Sequence, residues 1–234
     1  MLTVAVLAGG LGTRLRALTA DAIPKVMAPV LGRPFIDYKL AGLAAQGVER
    51  VVILIGHHGD QVRASVGSGS RYGLQVTYVD DGPSPRGTGG AIRHALAELG
   101  DVFWVTYGDT LLDVPMREAE ATFAASDLSG LMTVFRNCDE REPSNVRVDT
   151  GRVIEYGKHP RPRGADYIDY GMLAFRREAF AGRAEEDAFD LASVLEALIA
   201  RRSLLAFEVA AGFHDIGTVD ALQATELFLG SRER

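Results

Sequence analysis

Residues 7–16 read LAGGLGTRLR, directly after the apolar run TVAV at 3–6. Three glycines at positions 9, 10 and 12 are followed by Arg14 and Arg16. A glycine turn of this kind allows a close backbone approach or a positive φ, at an entropic cost that an ordinary turn avoids. Arginine beside such a turn suits an anion, and backbone N–H groups can cradle phosphate oxygens. The plainer alternative is a flexible turn carrying a solvated guanidinium.

Two familiar phosphate sites fail here. In a dinucleotide fingerprint framed from Gly10, Leu15 stands where the third glycine belongs, and the second apolar strand ends in Gly56 and His57 rather than an acidic residue. The GK pair of a P-loop occurs once, at 157–158, with His159 where Ser or Thr is required. The lysines are more informative. Lys25, Lys39 and Lys158 are the only three among 25 basic residues. Lysine is a compact point charge on a flexible stem, useful against a phosphate that moves during reaction. Lys25 follows the glycine turn in IPKV, and Lys158 lies in the turn-rich YGKHPRPRGAD. Lys39 falls in a predicted helix, where a solvated charge is the simplest reading.

Strand-like runs at 2–8, 51–55, 74–79, 102–107 and 130–136 must position these groups. Helical stretches separate several of them. RPFIDYKLAGLAAQGV puts Phe35, Ile36, Leu40, Leu43 and Ala44 on one face, and TGGAIRHALAEL at 88–99 is a second helix despite its glycines. The alternation predicts an α/β, Rossmann-like, mostly parallel sheet with helices on both faces. Closely spaced strands at 146–149, 152–156 and 167–175 predict a mixed or antiparallel edge, and a strand at 204–209 lies between helices at 189–201 and 218–229. No repeat or linker divides residues 1–234, so one domain is expected. Ligands in such sheets sit beyond the carboxyl ends of strands, where the glycine turn, YGDT and HDIGT all fall.

A net charge of -6 argues against nucleic-acid or membrane-surface binding, so positive charge must be gathered locally. The lone Cys138, and the lack of a leader or a spanning apolar run, predict a cytoplasmic protein. His57, His58, His94 and His159 lack metal-ligand spacing, and Trp104 reads as core.

Taken together, LAGGLGTRLRALTADAIPKVMAPVLGRPFIDY at 7–38 resembles the sugar-1-phosphate nucleotidyltransferases, the pyrophosphorylases that make nucleotide sugars. The resemblance continues through GTGGAI at 87–92, YGDT at 107–110, the lysine at 158, YIDYGMLAF at 167–175 and DIGT at 215–218. It implies that a sugar 1-phosphate oxygen attacks the α-phosphorus of a nucleoside triphosphate in line, and pyrophosphate leaves. Bringing two anions together makes positioning and charge stabilisation the main tasks. By the same resemblance, Leu7, Ala8, Gly9, Gly10, Gly12 and Thr13 form the nucleotide cradle, with Arg14 over the β- and γ-phosphates. Lys25 lies near the α-phosphate and the leaving group. Gly87, Thr88 and Gly90 lie against the base and ribose. Lys158 neutralises the sugar phosphate, and Asp109 and Asp215 hold Mg2+. Asp109 has a turn reading as its alternative; Asp215 could cap a helix, although Thr218 suits that role better.

Asp169, Tyr170 and Gly171 stand where the family has Asn-Ala-Gly at the sugar, and the glutamate directly before the lysine is absent, Glu155 lying three residues upstream. Asp for Asn removes two donors and adds an acceptor charge, which concerns the sugar rather than phosphate handling. Asn145, in SNVRV, could face the sugar, but reads more simply as the end of a turn before a strand. GRPF and GTGGAI are closest in wording to guanylyltransferases acting on heptose or mannose phosphates, with uridylyl- and cytidylyltransferases as alternatives. A nucleotide-sugar-binding module without turnover is a reading from another class. A glycosyltransferase would carry Asp-x-Asp, which the chain lacks.

Overall fold

The structure is a computed structural model and describes residues 1–10, 22–82, 84–137, 143–185 and 187–232. The long strands are β1 (Thr3–Leu7), β4 (Arg50–Ile55), β5 (Gln75–Asp80), β6 (Val102–Tyr107), β8 (Gly130–Arg136), β9 (Val146–Asp149), β10 (Arg152–Tyr156), β11 (Tyr167–Arg176) and β12 (Leu204–Val209). Four two-residue strands, β2 (Pro29–Val30), β3 (Arg33–Pro34), β7 (Thr110–Leu111) and β13 (His214–Asp215), form two small ribbons. The helices used below are α1 (Phe35–Ala45), α2 (Gly59–Val66), α3 (Gly87–His94), α4 (Leu96–Leu99), α5 (Met116–Ala124), α6 (Ala192–Ala200) and α7 (Val219–Arg232).

The nine long strands make one sheet in the order β5-β4-β1-β6-β11-β8-β12-β10-β9. Successive strand residues face opposite sides, and the core divides accordingly. Val4, Val6, Val51, Ile53 and Trp104 pack under α1, α2 and α5. Ala5, Val52, Leu54, Phe103 and Val105 pack under α3, α4 and α6. Helices thus cover both faces, as the alternating apolar runs predict, and Trp104 is core. The mixed character reaches further inward than an edge: β11 runs antiparallel between β6 and β8. Seven of its ten residues are buried, and Tyr167, Asp169 and Arg176 are partly so, as a central strand requires.

Strand order reverses at β1, with β4 and β5 on one side and β6 on the other, all parallel. This is the switch point at which a crevice opens beyond the carboxyl ends. Gly9 and Gly10 follow β1 there, and Gly108 and Asp109 follow β6. Gly108 donates its N–H to the Leu7 carbonyl at 2.9 Å. A Cβ on it would stand 2.7 Å from Val26 Cγ1 and 2.8 Å from Leu7 O. Glycine at this position therefore lets the turn carrying Lys25 and Val26 press against the end of β6. A methyl group added to Gly10 would meet nothing within 4 Å. Gly108→Ala should accordingly destabilise the fold by about 1–3 kcal/mol in urea titration, and Gly10→Ala should leave the midpoint unchanged.

Candidate active site

Lys25 opens a short 3-10 turn, Lys25–Met27, entered from Pro24. Val26 anchors the turn in the core, and Lys25 projects to the end of β6, where Nζ bonds Asp109 Oδ2. Asp215 arrives from far later in the chain. β13 pairs antiparallel with β7, setting Asp215 opposite Thr110 and His214 opposite Leu111. The Ile216 N–H then reaches the Asp109 carbonyl at 3.0 Å. Asp215 Oδ1 accepts the Gly217 N–H at 2.6 Å, and the Cβ position of Gly217 is 3.8 Å from Lys25 Nζ. Thr218 caps the following helix by accepting the Ala221 N–H at 3.1 Å, so Asp215 is not consumed as the cap.

Lys25, Asp109 and Asp215 therefore lie together at the end of β6. Asp109 and Asp215 line a cavity of about 500 Å³ together with Tyr107, Lys158, Asp169 and Asn145. Lys158 Nζ lies 5.8 Å from the centre of the Tyr107 ring. Burial, reinforced by Asp169, Asp190 and Asp109, raises the Tyr107 pKa above its ordinary value and keeps the phenol neutral. Among the described residues no group of three or more His, Cys, Asp or Glu could hold a metal ion. The two carboxylates nevertheless suit Mg2+, which takes one or two carboxylates and completes its shell with phosphate oxygens and water.

On β11, the register with β8 shifts between Asp169 and Leu173, with Gly171 at φ +97. Thr133 mends the ladder: its hydroxyl donates to Met172 O at 2.7 Å and lies 3.2 Å from Met172 N. This bulge turns Asp169 into the cavity. Its Oδ1 accepts the Gly171 N–H at 3.0 Å, and its own N–H donates to Asn145 Oδ1 at 3.0 Å. Asn145 is thus part of the cavity wall as well as a strand entry, which the turn reading misses. Burial raises the Asp169 pKa against the Gly171 hydrogen bond and the field of Lys158. Tyr170 lines the cavity with its neighbours but turns its ring into the core beside Phe135 and Phe213, and its hydroxyl takes the Asp113 N–H at 3.1 Å.

The residues that the resemblance assigns to the nucleotide are partly accounted for by packing. Gly12, Thr13 and Arg14 lie outside the described residues. Leu7 and Ala8 end β1, where the Ala8 N–H meets Leu54 O at 2.9 Å, and Gly9 packs beside Gly56 and Asp81. Asp81 O accepts from Arg86 Nε at 3.0 Å, which brings the start of α3 next to the glycine turn. Gly87 has φ +69, and Cβ atoms on Gly87 and Gly90 would strike the 187–189 backbone at 2.6 and 2.5 Å. The Thr88 hydroxyl accepts the Leu191 N–H at 2.8 Å.

Lys39 departs most from the sequence reading. It is not a solvated charge but 2% exposed, donating to Thr106 Oγ1 and Thr110 O at 2.8 Å each. Helical spacing carries the overlooked signal, because Lys39 lies four residues from both Phe35 and Leu43 on the apolar face of α1.

The nucleotidyl transferase family profile matches residues 3–232. The chain belongs to this family. It is 30% identical over 231 residues to the N-acetylmuramate alpha-1-phosphate uridylyltransferase of Neisseria meningitidis, covering 97% of each chain. It is 33% identical over 174 residues to the mannose-1-phosphate guanylyltransferase of Mycobacterium tuberculosis, covering 74% of this chain but 48% of that relative. HddC from Yersinia pseudotuberculosis, solved in complex with GMP-PN, shares the fold at a TM-score of 0.78 and 24% identity, over 98% of this chain and all of that one.

Burial lowers the Lys39 pKa from its ordinary value to about 7, with the Asp109 charge opposing the shift. Above that value the native chain releases a proton that the unfolded chain retains up to the ordinary lysine range, so stability rises with pH. Urea midpoints measured from about pH 6.5 to about 9.5 should climb, by at most about 1.4 kcal/mol per pH unit. Lys39→Met should flatten that climb.

Proposed function

We propose that the chain transfers a nucleoside monophosphate from a nucleoside triphosphate to a sugar 1-phosphate, releasing pyrophosphate and forming a nucleotide sugar. The observation that carries the reading is the convergence of Lys25, Asp109 and Asp215 at the sheet's switch point, beside a cavity that also holds Lys158. The triphosphate lies along Leu7–Gly10 and the Gly12–Arg14 segment, with the base and ribose toward Gly87–Gly90. The acceptor occupies the cavity walled by Lys158, Asp169, Tyr170 and Gly171.

Each charge then has a task. Lys158 reduces repulsion between the incoming sugar phosphate and the triphosphate. Lys25 stands where charge accumulates on the leaving pyrophosphate, and its ion pair with Asp109 fixes its direction before substrate arrives. Arg14 holds the terminal phosphates as a fork. Asp109 and Asp215 are the residues that would hold Mg2+, which would supply Lewis-acid polarisation of the phosphates. In-line geometry does the rest, since no protein nucleophile is needed. We place this activity in a single cytoplasmic domain spanning 1–234; among the described residues no helix is long and apolar enough to cross a membrane.

Guanylyl transfer to a heptose or mannose phosphate is the specificity favoured by the sequence wording. Uridylyl transfer is the activity named for the relative aligned along its whole length. Pyrophosphate release measured across GTP, UTP, CTP and dTTP with a panel of sugar 1-phosphates, with and without Mg2+, discriminates these readings. Release with one pair is expected; binding without release from any pair would favour the regulatory module. Lys25→Ala should lower kcat by about a hundredfold or more while shifting the thermal midpoint little. Asp109→Asn should raise the Mg2+ concentration needed for half-maximal rate, and an unchanged metal titration would remove Asp109 from the ligand set.

A further inference from the structure

Lys39 is the one lysine to which the reaction above gives no task, and it is the most deeply buried of the three. It lies on α1, behind the segment that leaves β6. Its two hydrogen bonds go to Thr106 Oγ1, three residues before Asp109, and to Thr110 O, directly after it. Gln46, which caps the C-terminus of the same helix, grips the same segment lower down: Nε2 donates to Leu112 O at 2.8 Å, and Oε1 accepts the Val114 N–H at 3.1 Å. The turn that carries Asp109 is thus clipped to α1 on both sides of the aspartate and again downstream.

Stability does not explain an ammonium at this position. An amine with about 2% exposure loses its hydration, and its two neutral partners return less than water gave. Buried charges of this kind are often replaced by apolar residues of similar volume without loss of stability. Both bonds also survive deprotonation, because a neutral amine keeps two N–H donors, so the clip holds in either charge state.

We infer that Lys39 is a positioning residue for nucleotidyl transfer, holding Thr106 and the Thr110 carbonyl so that the Asp109 carboxylate stays directed at Lys25 and the Asp215 ribbon. The inference rests on Asp109 acting in the transfer. A misplacement of a reacting group by about 1 Å can cost about a hundredfold in rate.

Lys39→Met removes both donors at nearly constant volume, and Lys39→Gln returns N–H donors without the charge. For Lys39→Met we expect kcat to fall about ten- to hundredfold, KM for both substrates to change less than about threefold, and Tm to stay level or rise. Lys39→Gln should recover part of kcat. Amide hydrogen exchange provides a readout that needs no turnover: peptides covering 106–112 should exchange faster in Lys39→Met, with those of β1 and β11 unaffected. Unchanged exchange at 106–112 overturns the inference, as does a kcat within about twofold of the parent or a Tm falling in step with kcat in both variants. If Lys39→Met does not fold, the same comparison on Lys39→Gln decides. Absence of turnover in the parent protein would overturn the proposed reaction instead, leaving the exchange comparison to judge the clip.

Discussion

The organising constraint of this molecule is that an acidic chain must keep positive charge at one end of its sheet, where two phosphorylated substrates would otherwise repel each other. Lys25 and Asp109 meet that constraint as a pair, and their contact depends on the missing side chain at Gly108. A Cβ at Gly108 would crowd both Leu7 O and Val26 Cγ1, so glycine there lets the end of β1 and the Lys25 turn approach the end of β6. Packing at the centre of the sheet thereby sets the electrostatics of the cavity.

The cavity is built by two departures from regular structure. The bulge at Gly171 breaks the β11–β8 ladder and directs Asp169 inward, and the buried Thr133 hydroxyl satisfies the backbone that the break leaves over. The β7–β13 ribbon folds a late segment of chain across the mouth of β6. Both devices also send side chains inward, Tyr170 and Met172 from the bulge and Leu111 and Ile216 from the ribbon. Both determine which polar atoms face the cavity, Asp169 from the bulge and Asp215 from the ribbon.

Most of the sheet was legible from sequence because β-branched apolar runs coincide with strands: the expectations at 102–107, 130–136, 146–149 and 204–209 match β6, β8, β9 and β12 residue for residue. The helix expected across 88–99 divides at Ala95 into α3 and α4, and α2 has no side-chain cap to announce it. Two-residue strands such as β7 and β13 carry no periodicity; long-range pairing alone creates them. The meeting of Lys25 and Asp109 follows from the family resemblance rather than from either residue alone, since an aspartate after glycine is equally ordinary turn chemistry. Gly87, Thr88 and Gly90 show the limit, since a remote stretch at 187–191 uses the same glycines and hydroxyl. Lys39 misleads for the opposite reason: a charged side chain suggests water until its neighbours at four-residue spacing are weighed.

The ribbon that joins Thr110 to Asp215 also orders events during synthesis. Asp215 and the helix after it emerge from the ribosome long after the glycine turn, Lys25 and Asp109. A nascent chain can complete much of the parallel half of its sheet and still lack the second carboxylate. Thr110 therefore gains its ribbon partner, and the Asp109 carbonyl its bond from Ile216, only once residues 214–216 have been made.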